Sequence, residues 1–184
     1  MITTKSELNF IQEDAKANGI KLGWSYFVKV IYGNVHAHTF RYLKSLRKYE
    51  YYSNTHSFLR YFYMFYNRRL GLRYAIALMP NTIGPGLNLT HIELGIVCNC
   101  KSMGAHCAIN TGVLVGNKHG FENIPTIGDN VTLGPGCKVI GKITKGNNVL
   151  VDPNAVVVKD VPDNAVVVGI PAKVIRLNGE RVYE

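Results

Sequence analysis

Two periods divide the chain. Ile127, Leu133, Val139, Lys145, Val151 and Val157 recur at every sixth position. Four residues after each stand Val131, Cys137, Ile143, Val149, Ala155 and Val161. Asp, Asn and Gly fill the intervals, as in IGDNVT, LGPGCK and VDPNAV. A helix repeats near 3.6 residues and a plain strand every two. A period of six fits one short strand plus one tight turn, and three such units make a triangular coil of a parallel β-helix. Gly and Asn supply turn conformations that bulky residues resist. Stacked coils bury the aliphatic series along one axis. Lys145 breaks the series, and its stem is expected inside with the amine snorkelling to water.

The same period runs earlier through Val97, Met103, Ile109 and Val115, with Cys107 and Val113 in the accompanying series. Ile83 and Leu89 are six apart, but Leu89 to Val97 is eight. Two extra residues are therefore expected around His91–Gly95. Between Val115 and Ile127 the pattern fails in the polar stretch 116–123, which reads as a loop thrown out from the coil. Interruptions in a regular stack are where function tends to lie.

Before residue 76 the period is helical. Thr4-Lys5-Ser6-Glu7 fits a capping box, Leu8, Phe10, Ile11 and Ala15 follow, and Gly19 stops the helix. Phe40, Leu43 and Leu46 share one face, with Arg47 and Lys48 beside it. Ser57–Leu70 is apolar nearly all round and calls for a cover, a core or subunit contact before lipid. Charge is uneven: residues 1–73 hold twelve Lys/Arg and four Asp/Glu. Such a stretch suits an anionic ligand, a peripheral membrane contact or a solvated helix face. No RNA-binding signature accompanies it, so no nucleic-acid partner is expected.

The length, 184 residues, allows one domain with an appendage. No run of eighteen apolar residues predicts a membrane span, and the N-terminus lacks a secretory pattern, so a cytoplasmic location is expected, extending to the inner membrane surface if the basic helices touch it. The four cysteines read as buried thiols. Cys98 and Cys100 form a lone CxC without a companion pair, and no metal is expected.

The passages IGPGLNLTH (83–91), GIVCN (95–99), INTGVLVGN (109–117) and the run 124–175 resemble the hexapeptide-repeat acyltransferases, specifically the serine acetyltransferase branch and its relatives in capsule, colanic-acid and O-antigen biosynthesis. The resemblance implies a mainly β fold, a left-handed parallel β-helix over 76–175. An N-terminal α-helical segment, 1–75, precedes it and a tail, 176–184, follows. It implies acetyl-CoA as acyl donor and a homotrimer with sites shared between subunits.

By the same resemblance His91 matches the catalytic histidine. A neutral imidazole can take the proton of an acceptor hydroxyl as it attacks the thioester. The resemblance places an oxyanion or acetyl contact at Asn117. It places the cofactor along Gly116, Asn117, Gly134, Pro135 and Pro153, with Pro171 near the adenine end and Lys159 or Lys173 near the phosphates. Thr90, Glu93, His119, Glu122 and Asn123 are candidates for the acceptor. Two departures stand out. Ile76 occupies the offset where serine acetyltransferases carry the Asp that orients the histidine. Thr90 and the loop KHGFENIP replace the Asp and the Arg-His pair that hold serine. A carboxylate would want such an arginine, so a sugar hydroxyl of a polysaccharide or its precursor is the expected acceptor. L-serine is the alternative, and a non-catalytic β-helix scaffold is a second.

Overall fold

The computed structural model describes residues 2, 6–120 and 122–182. Of the capping box at 4–7, Thr4 and Lys5 lie outside the described residues, as do the side chains of Ser6 and Glu7. Four helices come first: α1 (Ser6–Ala17), α2 (Trp24–Ile31), α3 (Val35–Asn54) and α4 (Leu59–Tyr74). Asn34 caps α3 by accepting the Ala37 N–H at 3.0 Å. No described helix is long and apolar enough to cross a membrane.

A stack of triangular coils follows. The first coil holds β1 (Ile76–Leu78) and β2 (Asn88–Thr90), bridged through Ile83. The second holds β3 (Ile96–Cys98), β4 (Ser102–Met103) and β5 (Ala108–Asn110); the third, β6 (Leu114–Gly116), β7 (Thr126–Ile127) and β8 (Thr132–Leu133). The fourth holds β9 (Lys138–Ile140), β10 (Thr144–Lys145) and β11 (Leu150–Val151); the fifth, β12 (Val156–Val157), Val161 and β13 (Ala165–Val168). The first face is the parallel sheet β1-β3-β6-β9-β12 and the second is β4-β7-β10. The third runs β2-β5-β8-β11-β13, then β14 (Lys173–Leu177) and β15 (Glu180–Arg181), which pair antiparallel.

The six-residue series forms the core. Leu89, Ile109, Leu133, Val151 and Val167 stack inside the third face, all fully buried. On the first face the register corrects the sequence reading. Cys98, not Val97, aligns with Val115, and Val97 points outward. Between Thr90 and Gly95 the first coil has four residues, where the second has only Thr111 between Asn110 and Gly112. The insertion is therefore three residues. The turn between β3 and β4 is correspondingly one residue short of the period, and a slip of one residue exchanges faces.

Lys145 is the second correction. It stands in the interior stack of Met103, Ile127 and Val161, and its amine is buried without a hydrogen-bond partner among the described residues. The aliphatic stem is too far inside the coil for the amine to reach water. Burial pushes its pKa down to about 8, against a smaller upward pull from the Cys137, Cys107 and Cys98 thiols.

The open end of the first coil exposes strand edges that need partners. The helices supply one for each face. The Tyr42 hydroxyl accepts the Leu78 N–H at 3.2 Å. The Arg47 guanidinium donates to the Ile83 and Gly84 carbonyls at 2.8 and 2.7 Å. Asp14 accepts the Leu87 N–H at 2.9 Å, and Asn18 spans the Leu87 carbonyl and the Leu89 N–H. Arg47 is itself fully buried between Asp14 (2.8 Å) and Glu50 (3.1 Å), so it does not belong to the solvated basic face. Burial raises the Glu50 carboxyl, opposed by Arg47 and the Asn81 N–H.

Candidate active site

His91 follows β2 at the corner where the third face turns into the first. Its φ is 54, a left-handed conformation uncommon for a residue with a side chain, and it caps the single 3-10 turn Ile92–Leu94. Three bonds hold this turn. The Leu94 N–H donates to the Thr111 hydroxyl at 2.9 Å, the Gly112 N–H to the Gly95 carbonyl at 2.7 Å, and the Ile96 N–H to the Ala75 carbonyl at 2.8 Å. Gly95 is required here: its φ is 78, and an added Cβ would meet the Ala75 carbonyl oxygen at 3.1 Å. The imidazole is exposed, and no described residue hydrogen-bonds to it. Ile76 is buried in β1 opposite Ile96, so the position of the family's orienting Asp holds core packing. Glu93 stands exposed in the 3-10 turn, and Thr90 contacts Asn88 at 3.4 Å.

The register sorts the remaining candidates into two columns. Down the corner from His91 come Thr111-Gly112, then Gly134-Pro135-Gly136, then Asp152-Pro153-Asn154. The turn 169–172 closes this column; Gly169 and Ala172 bracket Val156 by backbone bonds at 3.0 and 2.8 Å, with Pro171 between them and Lys173 opening β14. At Gly134 an added Cβ would lie 2.6 Å from the Val151 carbonyl oxygen, so adjacent coils approach closely along this edge. The second column stands at the other end of the first face. Gly116 ends β6, and the loop of Asn117, His119, Glu122 and Asn123 follows it; Lys159 follows β12 at the same corner. The three residues of β6 separate the columns by about 10 Å. The structure thus brings His91, Thr90, Glu93, Gly134, Pro135, Pro153, Pro171 and Lys173 to one corner, and the loop residues to another.

The loop is self-bonded. The Asn117 side-chain amide donates to the Gly120 carbonyl at 3.1 Å, and that of Asn123 to the His119 carbonyl at 3.0 Å. Asn117, His119 and Glu122 are exposed and Asn123 half-buried. Sequence reasoning missed Thr111, which fixes the histidine turn, and Lys138, whose ammonium donates to the Gly112 carbonyl at 2.6 Å. Only the register, which sets Leu114 beside Lys138, reveals the second.

The buried thiols offer no rival nucleophile at neutral pH. Burial pushes Cys107 and Cys137 up to about 11. A contact with Cys100 at 3.8 Å, then burial, raises Cys98. Cys100 is lowered by accepting that contact but is fully enclosed. No group of three metal-capable side chains occurs among the described residues.

No family model matches the chain. A serine acetyltransferase of Synechococcus elongatus is 37% identical over 102 residues, which cover 54% of this chain and 42% of that protein. The chain's matches span less than half the length of such curated relatives. Among solved structures, the Neisseria gonorrhoeae serine acetyltransferase in complex with serine has a TM-score of 0.68 at 26% identity, over 92% of this chain and 69% of that one. The soybean serine acetyltransferase apoenzyme has a TM-score of 0.76 at 25% identity, over 94% and 70%. In its repeat, its coil stack and about half of its sequence, the chain is similar to serine acetyltransferases.

Proposed function

We propose that the chain transfers an acetyl group from acetyl-CoA to a hydroxyl, with His91 as general base. The imidazole takes the hydroxyl proton as the oxygen attacks the thioester carbonyl. The C–S bond then breaks, and coenzyme A leaves as a thiol once it has recovered that proton. The observation that carries this reading is the column below His91, where Gly134-Pro135 and Pro153 line one edge at which backbone can approach a narrow pantetheine arm. Because His91 and the loop occupy different corners of one chain, the complete site joins the His91 column of one copy to the Asn117 loop of the next, in a homotrimer. Lys159 and Lys173 serve the coenzyme phosphates as point charges.

The acceptor that the relatives favour is L-serine, since the Neisseria protein is solved with serine bound. A second reading, a sugar hydroxyl, rests on one feature of this chain: Thr90 and a loop without arginine leave a serine carboxylate no bidentate guanidinium partner there, only the Lys118 point charge. A thiol-release assay with L-serine, then with a panel of glycans and sugar nucleotides, separates the two. His91→Ala should lower transfer by about 10²–10⁴-fold. Undiminished transfer in that variant would remove the mechanism. No acetyl-CoA binding at all would favour a scaffold.

A further inference from the structure

The most apolar helix of the chain is also among its least buried. α2 contributes no buried residue to the core, and Trp24, Phe27 and Ile31 are 79, 54 and 67% exposed on it. Phe27 and Ile31 form one wall of a groove of about 560 Å³; Tyr63 and Tyr66 of α4 form the other, and α3 lays Arg41, Lys44 and Lys48 along the floor. Exposed Phe62 stacks against Tyr66, which extends the α4 rim outward. The groove continues into a neighbouring hollow that shares Phe27, Lys44 and Lys48.

The charge of this surface is one-sided. Lys21 to Ala75 contains ten Lys/Arg and a single acidic residue, Glu50, which is buried against Arg47. Among the described residues no carboxylate lines the groove. The rings of Tyr26 and Tyr66 lie under Lys44 and Arg41 at 5.8 and 5.6 Å, and they hold the cations in place without neutralising them. Self-association through this face would set the same cations against their own copies across a two-fold axis. An apolar rim around a basic floor matches a phospholipid surface, where acyl chains take the rings and phosphates take the cations.

We infer that α2, α3 and α4 seat the protein on an anionic membrane surface, with Phe27, Ile31 and Phe62 in the acyl boundary and Arg41, Lys44 and Lys48 on lipid phosphates. This inference does not depend on the role of His91. The chain carries its own reporter, because Trp24 is its only tryptophan. The full-length protein is titrated with vesicles of phosphatidylcholine alone or with phosphatidylglycerol added, while Trp24 emission and co-sedimentation are followed. A shift of emission to shorter wavelength and binding roughly a hundredfold tighter to the anionic vesicles are expected, with both lost in high salt. Lys44→Glu with Lys48→Glu should remove the preference for anionic lipid, and Phe27→Ser with Ile31→Ser should remove binding altogether. The α2 positions lie outside the core, so these substitutions leave folding intact. An unshifted Trp24 with anionic vesicles, or equal binding to neutral ones, overturns the inference. So does a lipid-free assembly that comes apart in the Phe27→Ser, Ile31→Ser variant, which would assign the face to a second copy.

Discussion

The side chain of Asn18 completes the hydrogen bonding of Leu89 as a neighbouring strand would, accepting its N–H at 3.2 Å while donating to the Leu87 carbonyl at 2.8 Å. Leu89 is two residues before His91 on the outermost strand. Asn18→Leu removes both partners inside a buried contact, at a cost of about 1–3 kcal/mol in urea unfolding. Because β2 ends at the His91 corner, the proposed role of His91 predicts that the variant should also lower kcat while leaving the KM for acetyl-CoA near its original value.

Arg47 is the common partner of two buried carboxylates. Its replacement by Met strands Asp14 and Glu50 in the interior, and about 3–5 kcal/mol of stability should be lost. Replacing all three by apolar residues of similar size should recover most of it, measured by thermal unfolding of the single and triple variants.

Lys145 gives a pH signature of its own. Its folded pKa, about 8, lies below its ordinary value of 10.5. Between these values the unfolded chain binds the proton that the folded chain has lost, so this residue's contribution makes stability rise with pH. Below pH 8 the buried ammonium destabilises the fold by about 3 kcal/mol. Lys145→Met should therefore be more stable than the parent at pH 7, and the difference should shrink from pH 8 to 10.5. The Cys107 and Cys137 thiols, raised by burial, add the opposite trend at higher pH in both proteins. A gap that does not change with pH would mean packing alone sets it.

Gly134 lies where two coils touch. In Gly134→Ala the new methyl meets the Val151 carbonyl oxygen and the Pro153 nitrogen, both main chain, so the corner must open. A raised KM for acetyl-CoA and a lowered melting temperature are expected together. An unchanged KM would separate this edge from the coenzyme.

The proposed sharing of a site between copies is open to complementation. His91→Ala and a loop variant, Asn117→Ala, should each be inactive, yet refolding them together should restore about a quarter of the parental rate in mixed trimers. No recovery would place both residues in one chain's site, against the 10 Å width of the first face.

The aliphatic members of the repeat were legible because burial inside a coil admits little else: Leu133, Val139 and Val151 all lie where a period of six puts them. Val97 was misassigned because the three-residue insertion is followed by a turn one residue short after Cys98; the net excess of two reads in the spacing as a two-residue insertion, which puts Val97 rather than Cys98 inside. Lys145 defied composition, since a charged residue in an apolar series reads as a surface excursion until the coil closes around it. Arg47 looked like part of a solvated basic face because, Glu50 apart, its partners are distant in sequence; Asp14 lies 33 residues earlier and the Ile83 carbonyl 36 later. The inserted turn that carries His91 was legible from the broken period, whereas the two-column arrangement depends on which strands share a face.

Both ends of the stack are blocked. Tyr42, Arg47 and Asn18 occupy one end, and the β14–β15 hairpin folds back over β13 at the other. A solenoid so plugged cannot lengthen into a filament by adding copies end to end. The sideways direction is left open, which is the one that the proposed sharing of a site requires. A chain ending before Lys173 would lose that restraint, and head-to-tail polymers should appear.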